Sequence, residues 1–95
     1  MSTIELESDL GIDGAARLHA QLATSLDSKR TLSIDASKVD RLHAASMQVL
    51  VGFVRERNAG RRKTRITDPS SALRSAAVAL GVHQILGIET QGARA

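Results

Sequence analysis

The hydrophobic period of this chain switches repeatedly between two residues and about 3.6, and few architectures accept such a pattern. Thr3, Glu5 and Glu7 alternate with Ile4 and Leu6, as in a strand with one buried face. "DLGIDG" then breaks the alternation. From Asp13, a suitable N-cap, Ala15, Leu18, Leu22 and Leu26 fall on one stripe of a helix that fades in "DSKR". "TLSIDAS" alternates again, with Leu32, Ile34 and Ala36 opposite Ser33, Asp35 and Ser37. A short loop, "KVDRL", leads to a helix in which Met47, Leu50, Val51 and Val54 are spaced i, i+3, i+4, i+7. Val49 and Phe53 widen that face, so the helix is expected to be mostly buried. "NAG" ends it, with Gly60 expected in the left-handed C′ position.

"RKTRITD" reads as a third strand, with Thr64 and Ile66 on one face. "DPSSAL" reads as a helix start with Asp68 as N-cap and Pro69 at N1. Leu73, Ala76, Ala77 and Leu80 form its apolar stripe, and Gly81 stops it. "VHQILGI" is a short last turn or strand, and "ETQGARA" (89–95) a polar tail expected to fray. Strand and helix thus alternate, which implies an α/β fold with largely parallel strands and right-handed crossovers. The length of 95 residues suits one domain, 1–95.

Composition removes several function classes. There is one Phe and no Trp or Tyr, so the core must be aliphatic and no aromatic platform exists for stacking bases. The absence of Cys excludes disulfides, a thiolate nucleophile and a Cys-type zinc site. "MSTIELESDL" has neither the basic nor the apolar run of a signal peptide, and no stretch approaches the ~20 apolar residues of a membrane span. The expectation is a soluble protein that works in the cytoplasm.

The net charge of +3 is unevenly spread. Arg55, Arg57, Arg61, Arg62, Lys63 and Arg65 face the single acid Glu56 within one segment. Such a run is either a solvated helix end whose cations complement the dipole or a patch for an anionic partner. The reading preferred here is the solvated end, with no nucleic-acid partner expected. His19, His43 and His83 lack the spacing of a helical metal pair, so no metal or cofactor is expected. His19 is expected to face solvent, and His83 to lie at a surface or edge. Asp35 and Asp40 flank the end of the second long strand, where α/β crevices open, and are expected to be solvated loop acids. Neither a GxxxxGK[ST] loop nor a GxGxxG turn is present, and nothing in the sequence reads as an enzyme.

The segment from Thr31 to Gly87, "LSIDASKVDRLHAASMQVL" followed by "RITDPSSALRSAAVALGVHQILG", resembles the STAS domain of anti-sigma factor antagonists. It looks most like the short stand-alone bacterial type encoded with chemotaxis or stress-signalling genes. The resemblance implies a small mixed sheet of about four strands with helices mainly on one face. It also implies signal transduction through protein–protein interaction. In that family an acceptor Ser or Thr at the start of the helix is phosphorylated by a partner kinase, which decides who is bound. Carried across, the family's Asp falls on His43, the acceptor on Ala44, the small residue on Ala45, the Gly on Ser46 and the Leu or Met on Met47.

Ala44 has no hydroxyl, so the family switch is missing at its usual position. Two residues on, Ser46 is the candidate replacement acceptor; alternatively its hydroxyl bonds a backbone group in the first helical turn. His43 is read as a packing residue of the loop, with a pH-sensing role as the weaker alternative. The implied contact face for an anti-sigma-type kinase or chemotaxis-associated regulator is Lys38, Asp40, Arg41, His43, Ala44, Ala45, Ser46 and Gln48. STAS domains also serve as accessory subunits of ABC-type, including lipid-handling, transporters, where nothing need be phosphorylated.

Overall fold

The computed structural model describes residues 2–88; the tail expected to fray lies outside them. Strand β1 (Ser2–Glu5) is followed by a short strand β2 (Asp9–Leu10) and helix α1 (Gly14–Ala23). Then come β3 (Leu32–Asp35), a second short strand β4 (Arg41–Leu42) and the long helix α2 (Ala44–Ala59). β5 (Thr64–Thr67), α3 (Ser71–Ala79) and α4 (His83–Leu86) complete the order.

β3 is the central strand of a three-stranded sheet ordered β1-β3-β5, and β2 pairs with β4 in a separate ladder. Every pairing among the described residues is parallel, so the mixed character expected of the sheet is not seen there. Both crossovers, β1 to β3 and β3 to β5, step in the same direction across the sheet. Right-handed crossovers therefore bring α1 and α2 to the same face, where they pack on each other. Ile4, Ile34 and Ile66 share one row of that face, and the other face leaves Thr3, Glu5 and Arg65 exposed.

The core is aliphatic, as the composition requires. Leu32, Ile34, Leu50, Leu73 and Ala77 are fully enclosed, with Leu18, Leu22 and Met47 almost so. Phe53 packs inside and is no surface platform. His19 is exposed and His83 half-buried, in line with their expected places. One expected core residue departs: Leu80 caps α3 and is 51% exposed.

Three terminus readings are corrected. The N-cap of α3 is Ser70, whose Oγ accepts the Leu73 amide at 3.1 Å. Asp68 instead takes a left-handed backbone (φ 49°) in the turn out of β5, which leaves Pro69 ahead of the cap. At the end of α2, Gly60 has an ordinary φ of −85° and it is Arg61 that is left-handed (φ 60°). Arg62 N donates to Arg57 O at 2.8 Å and Arg61 N to Asn58 O at 2.9 Å, the paired bonds of a Schellman motif with an arginine at C′. Asp13 does stand before α1, but its side chain makes no cap bond because its own backbone is already helical.

The largest departure is Arg57. It belongs to the basic run, yet it is fully buried. Its Nη1 donates to the carbonyls of Ser25 (3.0 Å) and Ser28 (2.8 Å). Its Nη2 donates to those of Arg30 (3.1 Å) and Lys63 (2.8 Å), and its Nε to Thr64 Oγ1. A guanidinium offers five donors in a rigid fork, and here it gathers carbonyls from the loop after α1 and the loop before β5. Burial, and after it the charge of Arg62, pulls the Arg57 pKa below its ordinary value. This residue holds the fold and is no part of a surface patch.

Candidate protein-docking site

The leading end of α2 is placed by the short β2–β4 ladder. Asp40 N and Arg41 N both donate to Ser8 O, at 2.7 and 3.0 Å, and His43 N donates to Leu10 O at 2.9 Å. Asp9 and Leu10 thereby stand beside Arg41 and Leu42. The chain enters α2 with His43 extended (φ −89°, ψ 151°), the backbone an N-cap requires.

His43 is that cap. Its Nδ1 accepts the Ala45 amide at 3.0 Å, which places the ring proton of the neutral form on Nε2. An imidazole nitrogen thus meets an orphan amide of the first helical turn. His43 is exposed, so its role is capping and not loop packing.

Ser46 is not on the surface. Its residue is 0% exposed, and its Oγ donates to Gly11 O at 3.3 Å, bracing the turn between β2 and α1 against α2. The expectation that it lies on the exposed edge of the helix is therefore corrected. A hydroxyl enclosed and committed in this way offers a kinase no acceptor in this conformation. Met47 is buried beside it.

The remaining residues of the expected face are spread over three depressions, Lys38 and Asp40 in one, Arg41 and His43 in a second, and Ala44 and Gln48 in a third. Lys38, Asp40, Arg41, His43, Ala44 and Gln48 are exposed, and Ala45 is half-buried. Lys38 pairs with Glu5 at 3.2 Å across solvent, a contact that contributes little. Ala44 is the first residue of α2 and presents only a methyl group.

Two further residues of this end went unread in the sequence. Ile12 is 69% exposed and lines a shallow cleft with Arg41 and His43. On the other side of α2, Leu80 lines a groove with Ala44, Gln48 and Gly52. Exposed aliphatic residues are common singly, but these two flank the same helix end. Ile12 sits in a turn between two glycines, which hid it from periodicity; Leu80 keeps helical spacing but stands where the chain leaves α3.

Elsewhere, Asp40 lines an open depression at the ends of β3 and β5 with Lys38, Asp68, Ser70 and Arg74. Asp35 does not join it and is no solvated loop acid, since it is the half-buried last residue of β3. Its carboxylate accepts Ser37 N at 2.9 Å, and the amide and then the hydroxyl of Ser37, with Lys38 behind them, hold its pKa below the usual value against the opposing effect of burial. Among the described residues no cluster of His, Asp or Glu is arranged to hold a metal ion. Nor is any helix there long and apolar enough to cross a membrane.

Parallel strands under one layer of helices, with an exposed capped helix end between two aliphatic residues, define a small α/β interaction domain. The chain belongs to the STAS family: the family model described as "Mlab, STAS domain" matches residues 1–87. No curated protein matches it. STAS domains are generally non-enzymatic modules that bind other proteins, which agrees with the site.

Proposed function

We propose that this chain is an anti-sigma factor antagonist-like adaptor of bacterial signalling that docks a kinase or regulator through the leading end of α2. The docking is constitutive. The observation that carries this reading is the pair formed by Ala44 and Ser46: the exposed position has no hydroxyl, and the hydroxyl two residues on is buried against Gly11 O. A dianionic phosphate at this turn would gain from the free amides and the dipole, but no accessible group of α2's first turn can receive it.

Lys38, Asp40, Arg41, His43, Ala44, Ala45 and Gln48 are the proposed contacts, joined by Ile12 and Leu80. The same observation favours a second reading, an accessory subunit of an ABC-type lipid transporter, since that role needs no phosphorylation. A pull-down from the native host with wild-type protein and the Ala44→Glu variant tests both. A signalling kinase or regulator retained by wild type and lost by the variant supports the first reading, and a transporter ATPase supports the second. A partner retained equally by both rules out this face.

A further inference from the structure

The opposite end of α2 carries a surface with a different chemistry. Arg57 Nη2 donates at once to Arg30 O and Lys63 O, so one buried guanidinium ties together the loop before β3 and the loop before β5. Leu32 N donates to Lys63 O at 3.0 Å and closes the same junction. Lys29, Arg30, Arg61, Arg62 and Lys63 are thereby gathered at one end of the sheet, with Asp27 the acid nearest in sequence and Asp35, Glu56 and Asp68 each five residues from the closest of them. Among the described residues none of the five cations makes an ion pair; the ion pairs, Arg17–Glu7 and Lys38–Glu5, involve other residues. Arg62 Nε is buried without a hydrogen-bond partner.

Like charges held together without counter-charges repel one another. A second cost falls on Arg61, which occupies a left-handed backbone that glycine takes without strain, although Gly60 stands one residue earlier in an ordinary conformation. The fold thus bears both repulsion and strain to present these cations.

We propose that this basic end binds an anionic lipid surface by electrostatic adsorption. The partner class follows from what surrounds the charges. The exposed large apolar residues among those described, Ile12, Val78 and Leu80, lie outside these loops, so the patch lacks the apolar centre of a protein interface and any wedge for insertion. The one aromatic residue is buried, and the cations come from two loops and a helix end, not from an element shaped to enter a groove. A sheet of phosphate headgroups asks only for cations projecting from one end. The sixteen residues of α2 separate this end from the docking end by about 24 Å, so both can be occupied together.

Co-sedimentation of the full chain with vesicles tests this. It should pellet with vesicles that are about one-third phosphatidylserine and not with pure phosphatidylcholine, and release as salt rises toward about 0.5 M. Arg61→Gly should weaken partitioning about fivefold, and Lys29→Gln with Lys63→Gln about twenty-five-fold. Arg61→Gly should do so without lowering the unfolding midpoint, because it relieves strain. Equal binding to both vesicle types, binding to neither, or variants that bind like wild type would overturn the proposal. So would duplex DNA that displaces the protein from vesicles at equal phosphate, which would assign the patch to nucleic acid.

Discussion

The imidazole of His43 caps the helix that begins one residue later, with Nδ1 3.0 Å from the amide of Ala45. The neutral ring accepts this bond but contributes no charge to the positive end of the helix dipole. His43→Ala should therefore cost about 1 kcal/mol, the usual value of a lost N-cap, while His43→Asp should keep the cap and add a favourable charge. Urea unfolding of the two variants at neutral pH checks the order Asp at or above His, and His above Ala.

Ser46 supplies a sharper contrast. Ser46→Ala removes one hydrogen bond to Gly11 O and should cost about 1 kcal/mol. Ser46→Glu forces a larger, charged side chain into an enclosed site and should prevent stable folding near room temperature. A well-folded Ser46→Glu protein, judged by its unfolding transition, would show that this turn opens readily.

Arg57→Lys keeps the charge but loses the fork. One ammonium cannot reach the carbonyls of Ser25, Ser28, Arg30 and Lys63 together; Ser25 O and Lys63 O keep the amides of Ser28 and Leu32, but Ser28 O and Arg30 O depend on the fork. The variant should be at least about 2 kcal/mol less stable in denaturant titration.

Gly52 lies within α2, exposed, and a Cβ built on it would meet nothing within 4 Å. Gly52→Ala should raise stability by about 0.5–1 kcal/mol through helix propensity alone. A calorimetric melting scan reads this directly as a higher Tm.

The pH dependence of stability should carry a contribution from Asp35. Its carboxyl titrates lower in the fold than in the unfolded chain, because the Ser37 amide and hydroxyl favour the charged form. The resulting stabilisation is fully present above the unfolded carboxyl pKa of about 3.9 and is lost as pH falls through the lower folded value. Asp35→Asn should flatten the loss of stability in that acid range, as followed by denaturant midpoints below about pH 5.

These expectations divide along a clear physical line. The elements with a full period of side chains, β1, β3, β5 and the first three helices, were legible in the sequence because each needs only its own residues to declare a buried face. Strands β2 and β4 are two residues long and cannot show a period, yet they place the site. Ser46 looked exposed because it is polar. Its burial comes from the Gly11 turn, thirty-five residues away along the chain, which no local pattern reports. Arg57 was hidden by its neighbours' charge, although a signal existed: it continues the stripe Met47, Leu50, Val54 at helical spacing, which marks an inward position. The resemblance carried by "HAASMQVL" pointed to the family, but which of its side chains reach solvent is a tertiary fact.

The account rests on the first turn of α2 as an unswitched contact surface, and the affinity of the recovered partner for Ala44→Glu measures this most directly. A glutamate at that exposed first position suits the helix dipole and should leave the unfolding midpoint unchanged, while the complex weakens by about tenfold or more, at least about 1.4 kcal/mol. Wild-type affinity in the folded variant would contradict the account and move the docking surface elsewhere on the domain.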